Sequence, residues 1–153
     1  KYFHAMIGGN FRLDALQAAF LNVKLPHLDG WIAARRANAD YYDGRFAEAG
    51  LPPERLRTPP RRHEGHSYNQ YVIRTDRRDE LRDALSEAGI STAIYYPRPL
   101  HMQECFADLG YSEGDLPVAE KACDEVLAIP VGPNLTEANR ARVASTIITA
   151  LER

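Results

Sequence analysis

Two stretches of this sequence bring together side chains with binding chemistry. The first is Gly8-Gly9-Asn10-Phe11-Arg12-Leu13-Asp14-Ala15-Leu16-Gln17-Ala18-Ala19. Glycine accepts positive φ and lets other groups approach the backbone closely, so Gly-Gly-Asn reads as a turn with a helix behind it. Asn10 then lies where that helix begins, and its amide can donate to an anion that the free N–H groups and the helix dipole also favour. Arg12 adds a planar fork suited to phosphate or carboxylate. The same residues also read as an Asn cap, an Arg–Asp surface pair and an Ala-rich packing face. The second stretch is Ile94-Tyr95-Tyr96-Pro97-Arg98-Pro99-Leu100-His101-Met102-Gln103. Aromatic hydroxyls, a guanidinium and an imidazole crowd there into a proline-stiffened loop behind a strand, and such loops are where binding groups concentrate. Two tyrosines are equally a common way to fill a core.

Other reactive residues carry less. His63 and His66 stand three apart in a loop rich in Pro and Arg, with no neighbouring Cys or Asp to complete a zinc set, so no metal site is assigned. Cys105 and Cys123 are too few for a disulfide scaffold and lack CxxC spacing; both are expected to be buried thiols. His101 four residues before Cys105 could lower a thiol pKa, but no third orienting group or oxyanion turn accompanies the pair. The sequence contains no GxGxxG, Walker, HExxH or GxSxG motif.

The elements that must hold these residues follow from periodicity. Leu13, Leu16, Phe20 and Val23 recur at three and four residues, predicting a helix from Arg12 to about Leu25 with that stripe buried, broken or kinked at Pro26. A longer helix is predicted from Leu28 to Ala49, with Leu28, Ile32, Ala39, Tyr42 and Phe46 on one stripe, Arg35, Arg36, Asn38 and Asp40 among its polar positions, and Gly50 as its stop. Residues 51–65 mix four prolines with Arg55, Arg57, Arg61 and Arg62 and read as a surface linker. Beyond it, a strand is expected within Tyr68 to Arg74, a helix capped by Asp76 over Arg77 to Ala88, and a second strand over Ile90 to Tyr96. A helix starting at Leu116-Pro117, capped by Asp115, reaches about Val126. Thr136 caps a last helix with Val143, Ile147 and Leu151 as its buried stripe.

The composition excludes several classes of function. With 153 residues, 44% hydrophobic and 26% charged, the chain has the make-up of a globular protein of one domain or two small ones. A net charge of −2 gives no field that would recruit nucleic acid or an anionic membrane. No apolar run approaches the roughly 20 residues needed to span a bilayer, no signal-peptide pattern is present, and a cytoplasmic location is expected. The opening Lys1-Tyr2-Phe3-His4, without an initiator Met, is expected to belong to a longer protein.

Taken together, the segments resemble a known family. GGNFRLDALQAAFLNVKLPHLDGWIAARRANADYY is similar to the G-x-N-x-R-x-x-x-x-Q-A-A helix, and the helix after it, of the DegT/DnrJ/StrS sugar aminotransferases. HSYNQYVIR, GISTAIYYPRPLHMQ, GDLPVAEKACDEVLAIPV and PNLTEANRARVASTIITAL follow in the family's order. The resemblance implies an α/β fold of the aspartate aminotransferase type (fold type I), dependent on pyridoxal 5'-phosphate, of which this chain is the C-terminal part. Residues 1–50 would then close the large domain and form the interdomain helix, 51–65 would link, and 66–153 would be the small α+β domain. The Schiff-base lysine is expected upstream, since none of Lys1, Lys24 and Lys121 sits in the family's motif, and the chain alone should not transaminate. The resemblance further implies a homodimer with a shared site, with Asn10 reaching the cofactor phosphate of the other subunit. Arg12, Tyr95, Tyr96 and His101 would line the substrate site, and His66 and Asn69 would lie near its entrance. The reaction implied is transfer of an amino group, usually from glutamate, to a nucleotide-linked keto-sugar, with position 3 favoured over position 4. Two other readings remain: a regulatory or dimerisation domain on the same scaffold, and another fold-type-I enzyme such as a desulfurase.

Overall fold

The computed structural model describes residues 2–153. Its longest element, helix α2 (Leu28–Ala49), runs over the span expected from the sequence and ends where Gly50 takes φ +64°, a left-handed conformation that costs glycine little. Ala39, Tyr42 and Phe46 on its inner face are buried. Asn38, grouped with the polar positions in the sequence, is buried with them and donates from Nδ2 to the Gly132 carbonyl at 3.0 Å. Tyr42 donates from its hydroxyl to the Pro130 carbonyl at 2.8 Å. Burial pushes the Tyr42 phenol well above its ordinary range, so it stays a neutral donor.

Strands β1 (Tyr71–Arg74) and β2 (Val126–Ile129) form a two-stranded antiparallel sheet, with Tyr71 opposite Ile129 and Arg74 opposite Val126. Every residue of β2 is buried, which explains its continuous apolar run. Helix α3 (Arg78–Glu87) packs on β2 and on helix α5 (Glu137–Glu152), which also packs on α2. Leu81 and Leu85 meet the stripe Val143, Ala144, Ile147 and Leu151 in one core that also contains Tyr42, Phe46, Tyr71, Ile73 and Leu127. Thr136 caps α5 as expected, its hydroxyl oxygen accepting the Asn139 N–H at 3.2 Å.

Several expectations are corrected. Residues 90–96 do not form a strand: Ala93 alone bridges to Ala128, on the free edge of β2. In a continued ladder residue 91 would face Pro130, which has no N–H to offer. The partner of β1 is instead β2, which begins at Val126, where the sequence suggests only the end of a helix. Asp76 does not cap α3. Thr75 Oγ1 accepts the Arg77 N–H at 3.1 Å, and Asp76 turns towards Arg55 at 3.6 Å. Asp115 does not cap α4 (Pro117–Glu125) either. It accepts the Ser112 N–H at 2.7 Å, while Glu120, one turn inside α4, reaches back to the N–H groups of Gly114 and Leu116. The 51–65 connection is partly fastened: Leu56 is buried in the core, and Arg57 and Arg74 exchange two backbone hydrogen bonds of 2.9 Å. Cys123 is buried as expected, and burial raises its thiol pKa; Cys105 is only half-buried.

The largest correction concerns helix α1 (Ala15–Lys24), which starts three residues later than expected, at an Asp14 cap whose Oδ1 accepts the Gln17 N–H at 2.8 Å. Its apolar stripe is not buried. Leu16, Phe20 and Val23 are 69%, 61% and 72% exposed, because no element of the described chain lies opposite them. A single 3-10 turn, Leu25–His27 around Pro26, redirects the chain from α1 into α2.

Candidate functional site

Asn10 and Arg12 lie in an irregular, exposed segment ahead of α1. Asn10 is therefore not at the helix start, where Asp14 stands instead. The carboxamide and the guanidinium both face outward and make no hydrogen bond or ion pair with the described residues. Chemically they are one neutral donor and one charged fork, the groups that bind phosphate.

The second candidate segment is a constructed loop. Tyr95 is half-buried and Tyr96 is 58% exposed; the peptide bond between them is cis. Their rings pack edge-on against each other at 5.7 Å, and the ring of Tyr2 packs against both, at 6.2 Å and 5.3 Å. Tyr2 belongs to the short segment that leads to Asn10, so two regions more than ninety residues apart in sequence meet here. Gln103 holds the junction. Its Oε1 accepts the His4 N–H at 2.9 Å, and its Nε2 donates to the carbonyls of Tyr2 at 2.9 Å and Arg98 at 3.5 Å. The Cys105 N–H donates to the His4 carbonyl at 3.1 Å.

His101 points inward. It is 7% exposed, its Nε2 lies 2.9 Å from Glu120 Oε1, and its ring meets Tyr111 edge-on. Burial pushes the Glu120 carboxyl upward, but the N–H groups of Gly114 and Leu116 together with His101 outweigh it and hold the group below the ordinary carboxylate range. His101 thus anchors the loop to α4 from behind, whereas Tyr95 and Tyr96 stand at its front.

Tyr95 also faces a cleft of about 290 Å³, whose walls include Arg35, Asn69, Gln70, Thr92 and Pro130. Arg35 donates from Nη1 to the carbonyls of Tyr68 and Asn69 at 3.1 and 3.2 Å, holding the segment before β1 against α2. His66 is half-buried; it receives the Tyr68 N–H on Nδ1 at 3.0 Å and offers its carbonyl to Arg36. Asn69 and Tyr95 therefore share one cleft, while His66 is turned to its own neighbours. The sequence reading missed Arg35, Thr92, Gln103 and Glu120. A single buried Gln inside a polar loop has no periodic signature, and Arg35 reads as one of many arginines on a polar helix face. Among the described residues no cluster of three or more His, Cys, Asp or Glu is placed to hold a metal. Lys121 is exposed and lies 3.5 Å from Glu125, and Lys24 is exposed at the end of α1.

Comparison with known proteins bears directly on this geometry. The model of the DegT/DnrJ/EryC1/StrS aminotransferase family matches residues 1–148. The chain belongs to this aminotransferase family. Among curated family members it is 47% identical over 149 residues to a pleiotropic regulatory protein of Geobacillus stearothermophilus, covering 96% of this chain and 39% of that protein. It is 39% identical over 156 residues to the dTDP-3-amino-3,4,6-trideoxy-alpha-D-glucose transaminase of Streptomyces venezuelae, covering all of this chain and 40% of the transaminase. The crystal structure of S. venezuelae DesV in complex with a ketimine intermediate superposes with a TM-score of 0.85 at 38% identity, over all of this chain and 40% of that one. The chain thus spans about two fifths of the length of the relatives it matches, and its helices and short sheet form a C-terminal part of the sugar-aminotransferase fold.

Proposed function

We propose that this chain is the substrate-positioning C-terminal part of a pyridoxal phosphate-dependent aminotransferase that moves an amino group, from glutamate, to position 3 of a nucleotide-linked keto-sugar in the cytoplasm. The observation that carries this reading is the pair Tyr95 and Tyr96, fastened at the front of a braced loop beside a polar cleft, in a chain of this family. The choice of position 3 is supported by the name of the Streptomyces transaminase, whose product carries its amino group there. The cofactor, when bound, supplies an electron sink for proton removal next to the migrating nitrogen. Everything else in the proposal concerns the residues of this chain.

Asn10 donates its amide to the cofactor phosphate of a partner subunit, for which its exposure suits it. Arg12 provides a positive fork for the diphosphate of the substrate. Tyr95 and Tyr96 offer ring faces and hydroxyls to the sugar nucleotide, and His101 serves it from behind by fixing the loop. Residues 1–50 supply the end of the large domain and the interdomain helix α2, whose inner face packs into the core of the small domain of 66–153, and 51–65 link the two. Without a Schiff-base lysine of its own, the chain contributes orientation and not bond-making, and by itself it is inactive.

A second reading, a regulatory protein on the same scaffold, is favoured by the name of the Geobacillus relative. One experiment separates the two. The complete protein is purified with its cofactor and offered glutamate together with dTDP- and UDP-linked 3-keto and 4-keto sugars, and aminated product is followed by mass spectrometry. Turnover of a 3-keto sugar supports the proposal. Absence of product from the whole panel, in a protein without cofactor absorbance, favours the regulator.

A further inference from the structure

We propose that Gln103 is a positioning residue: its side-chain amide ties the Tyr2–His4 segment to the loop bearing Tyr95 and Tyr96, and so sets where those two rings meet the substrate. The inference rests on the reading that Tyr95 and Tyr96 line the sugar-nucleotide site. Gln103 is 5% exposed, and a buried carboxamide is costly unless its polar atoms are matched. Here they are matched to backbone alone. Oε1 takes the His4 N–H, and Nε2 gives to Tyr2 O and Arg98 O, so the side chain pairs with residues 2 and 4 as a neighbouring strand would. The Cys105 N–H adds a further bond, to the His4 carbonyl.

Tyr2 shows what this clasp achieves. Its φ of +70° is left-handed, a conformation an L-tyrosine adopts only when its surroundings impose it. That conformation turns its ring onto Tyr95 and Tyr96. Among the bonds between described residues, Gln103 is the side chain that joins both Tyr2–His4 and the Pro97–Pro99 turn. His101 and Glu120 hold the loop to α4, but they make no bond to the N-terminal segment. The lateral placement of the tyrosine pair is therefore assigned to Gln103, and the depth of the loop to His101.

The test uses the complete, cofactor-loaded protein with Gln103→Glu and Gln103→Met. A carboxylate keeps the acceptor for His4 but sets a negative oxygen against two carbonyls; a protonated carboxyl recovers one donor. Methionine keeps the volume and recovers neither. Both variants are expected to raise KM for the nucleotide sugar about tenfold at neutral pH. The half-reaction with the amino donor, followed by cofactor absorbance, stays within about twofold of the parent. Amide hydrogen exchange should accelerate in residues 2–9 and 93–103 together. On lowering the pH, Gln103→Glu should regain a sugar KM near the parent's, and Gln103→Met should not. Unchanged sugar KM in both variants, or equal loss in both half-reactions, overturns the inference. Tyr96→Ala, measured in parallel, locates the failure. If it raises the sugar KM while the Gln103 variants are silent, only the clasp is wrong; if it too is silent, the substrate-site reading falls first and the clasp with it.

Discussion

At the scale of single residues, the chain separates groups left open for a ligand from groups spent on holding the backbone. Asn10 and Arg12 are open; Gln103, His101, Asn38 and Arg35 are committed. An open amide that meets a phosphate makes a charge-assisted hydrogen bond worth about 1.5–3 kcal/mol. Asn10→Ala in the complete protein is therefore expected to weaken cofactor retention by roughly ten- to a hundredfold, at about 1.4 kcal/mol per decade. Equilibrium titration of the apoprotein measures it, and an unaltered dissociation constant removes Asn10 from the phosphate site. Glu120 illustrates the committed kind. Its carboxyl pKa is depressed in the folded chain, so it stabilises the fold fully above its ordinary value of 4.5 and loses that contribution as pH falls through the lower, folded value. Glu120→Gln should accordingly be less stable than the parent at neutral pH, and the gap should narrow only below about pH 4.5. Denaturant midpoints across that range check the sign; a gap that widens on acidification contradicts it.

At the scale of elements, legibility followed how local the determining physics was. Helix α2 was readable because its stop needs only Gly50 and its inner face recurs with the helical period. The last helix was readable from Thr136 and the Val143, Ile147, Leu151 spacing. Strand β2 was not, since Val126–Ile129 follows α4 without an intervening turn residue, and a short apolar run reads equally as helix. Residues 90–96 have strand composition but lack a continuous partner edge, a fact held by Pro130 far along the chain. At the site, Tyr95 and Tyr96 were visible as a crowded loop, while Gln103 and Arg35 act through backbone carbonyls whose positions only the fold supplies. Helix α1 was recognised as amphipathic, yet its stripe is covered by no part of the described chain. An exposed apolar face of that kind associates. The isolated chain should self-associate in light scattering as concentration rises, and Phe20→Glu with Val23→Glu should suppress it while leaving the far-ultraviolet dichroism unchanged. A parent chain that stays monomeric at high concentration denies α1 the role of an interface.

At the scale of the whole molecule, one hydrophobic core extends across the 51–65 connection. Tyr42 and Phe46 from α2 stand in the same cluster as Tyr71, Leu127 and Ile147, and Leu56 from the connection lies among them. By contrast, no residue of the described segment 2–27 is buried. Cooperative folding follows the core, so residues 28–153 should behave as one unit, with α1 as an appendage that orders only against something else. Deleting a buried aromatic side chain costs about 3–5 kcal/mol, and small domains have only about 5–15 kcal/mol in all. Removing α2 withdraws Tyr42 and Phe46 together, and with them the donor from Tyr42 to the carbonyl of Pro130 that fixes the chain after β2. A polypeptide of residues 66–153 is thus expected to lack a cooperative denaturant transition, although it contains every strand and three of the helices. Residues 28–153 should show a single sharp transition with a midpoint close to that of the whole chain. Circular dichroism across a urea series distinguishes the two. A cooperative transition from 66–153 alone would mean that the core divides at the connection, and that α2 belongs to the elements before it.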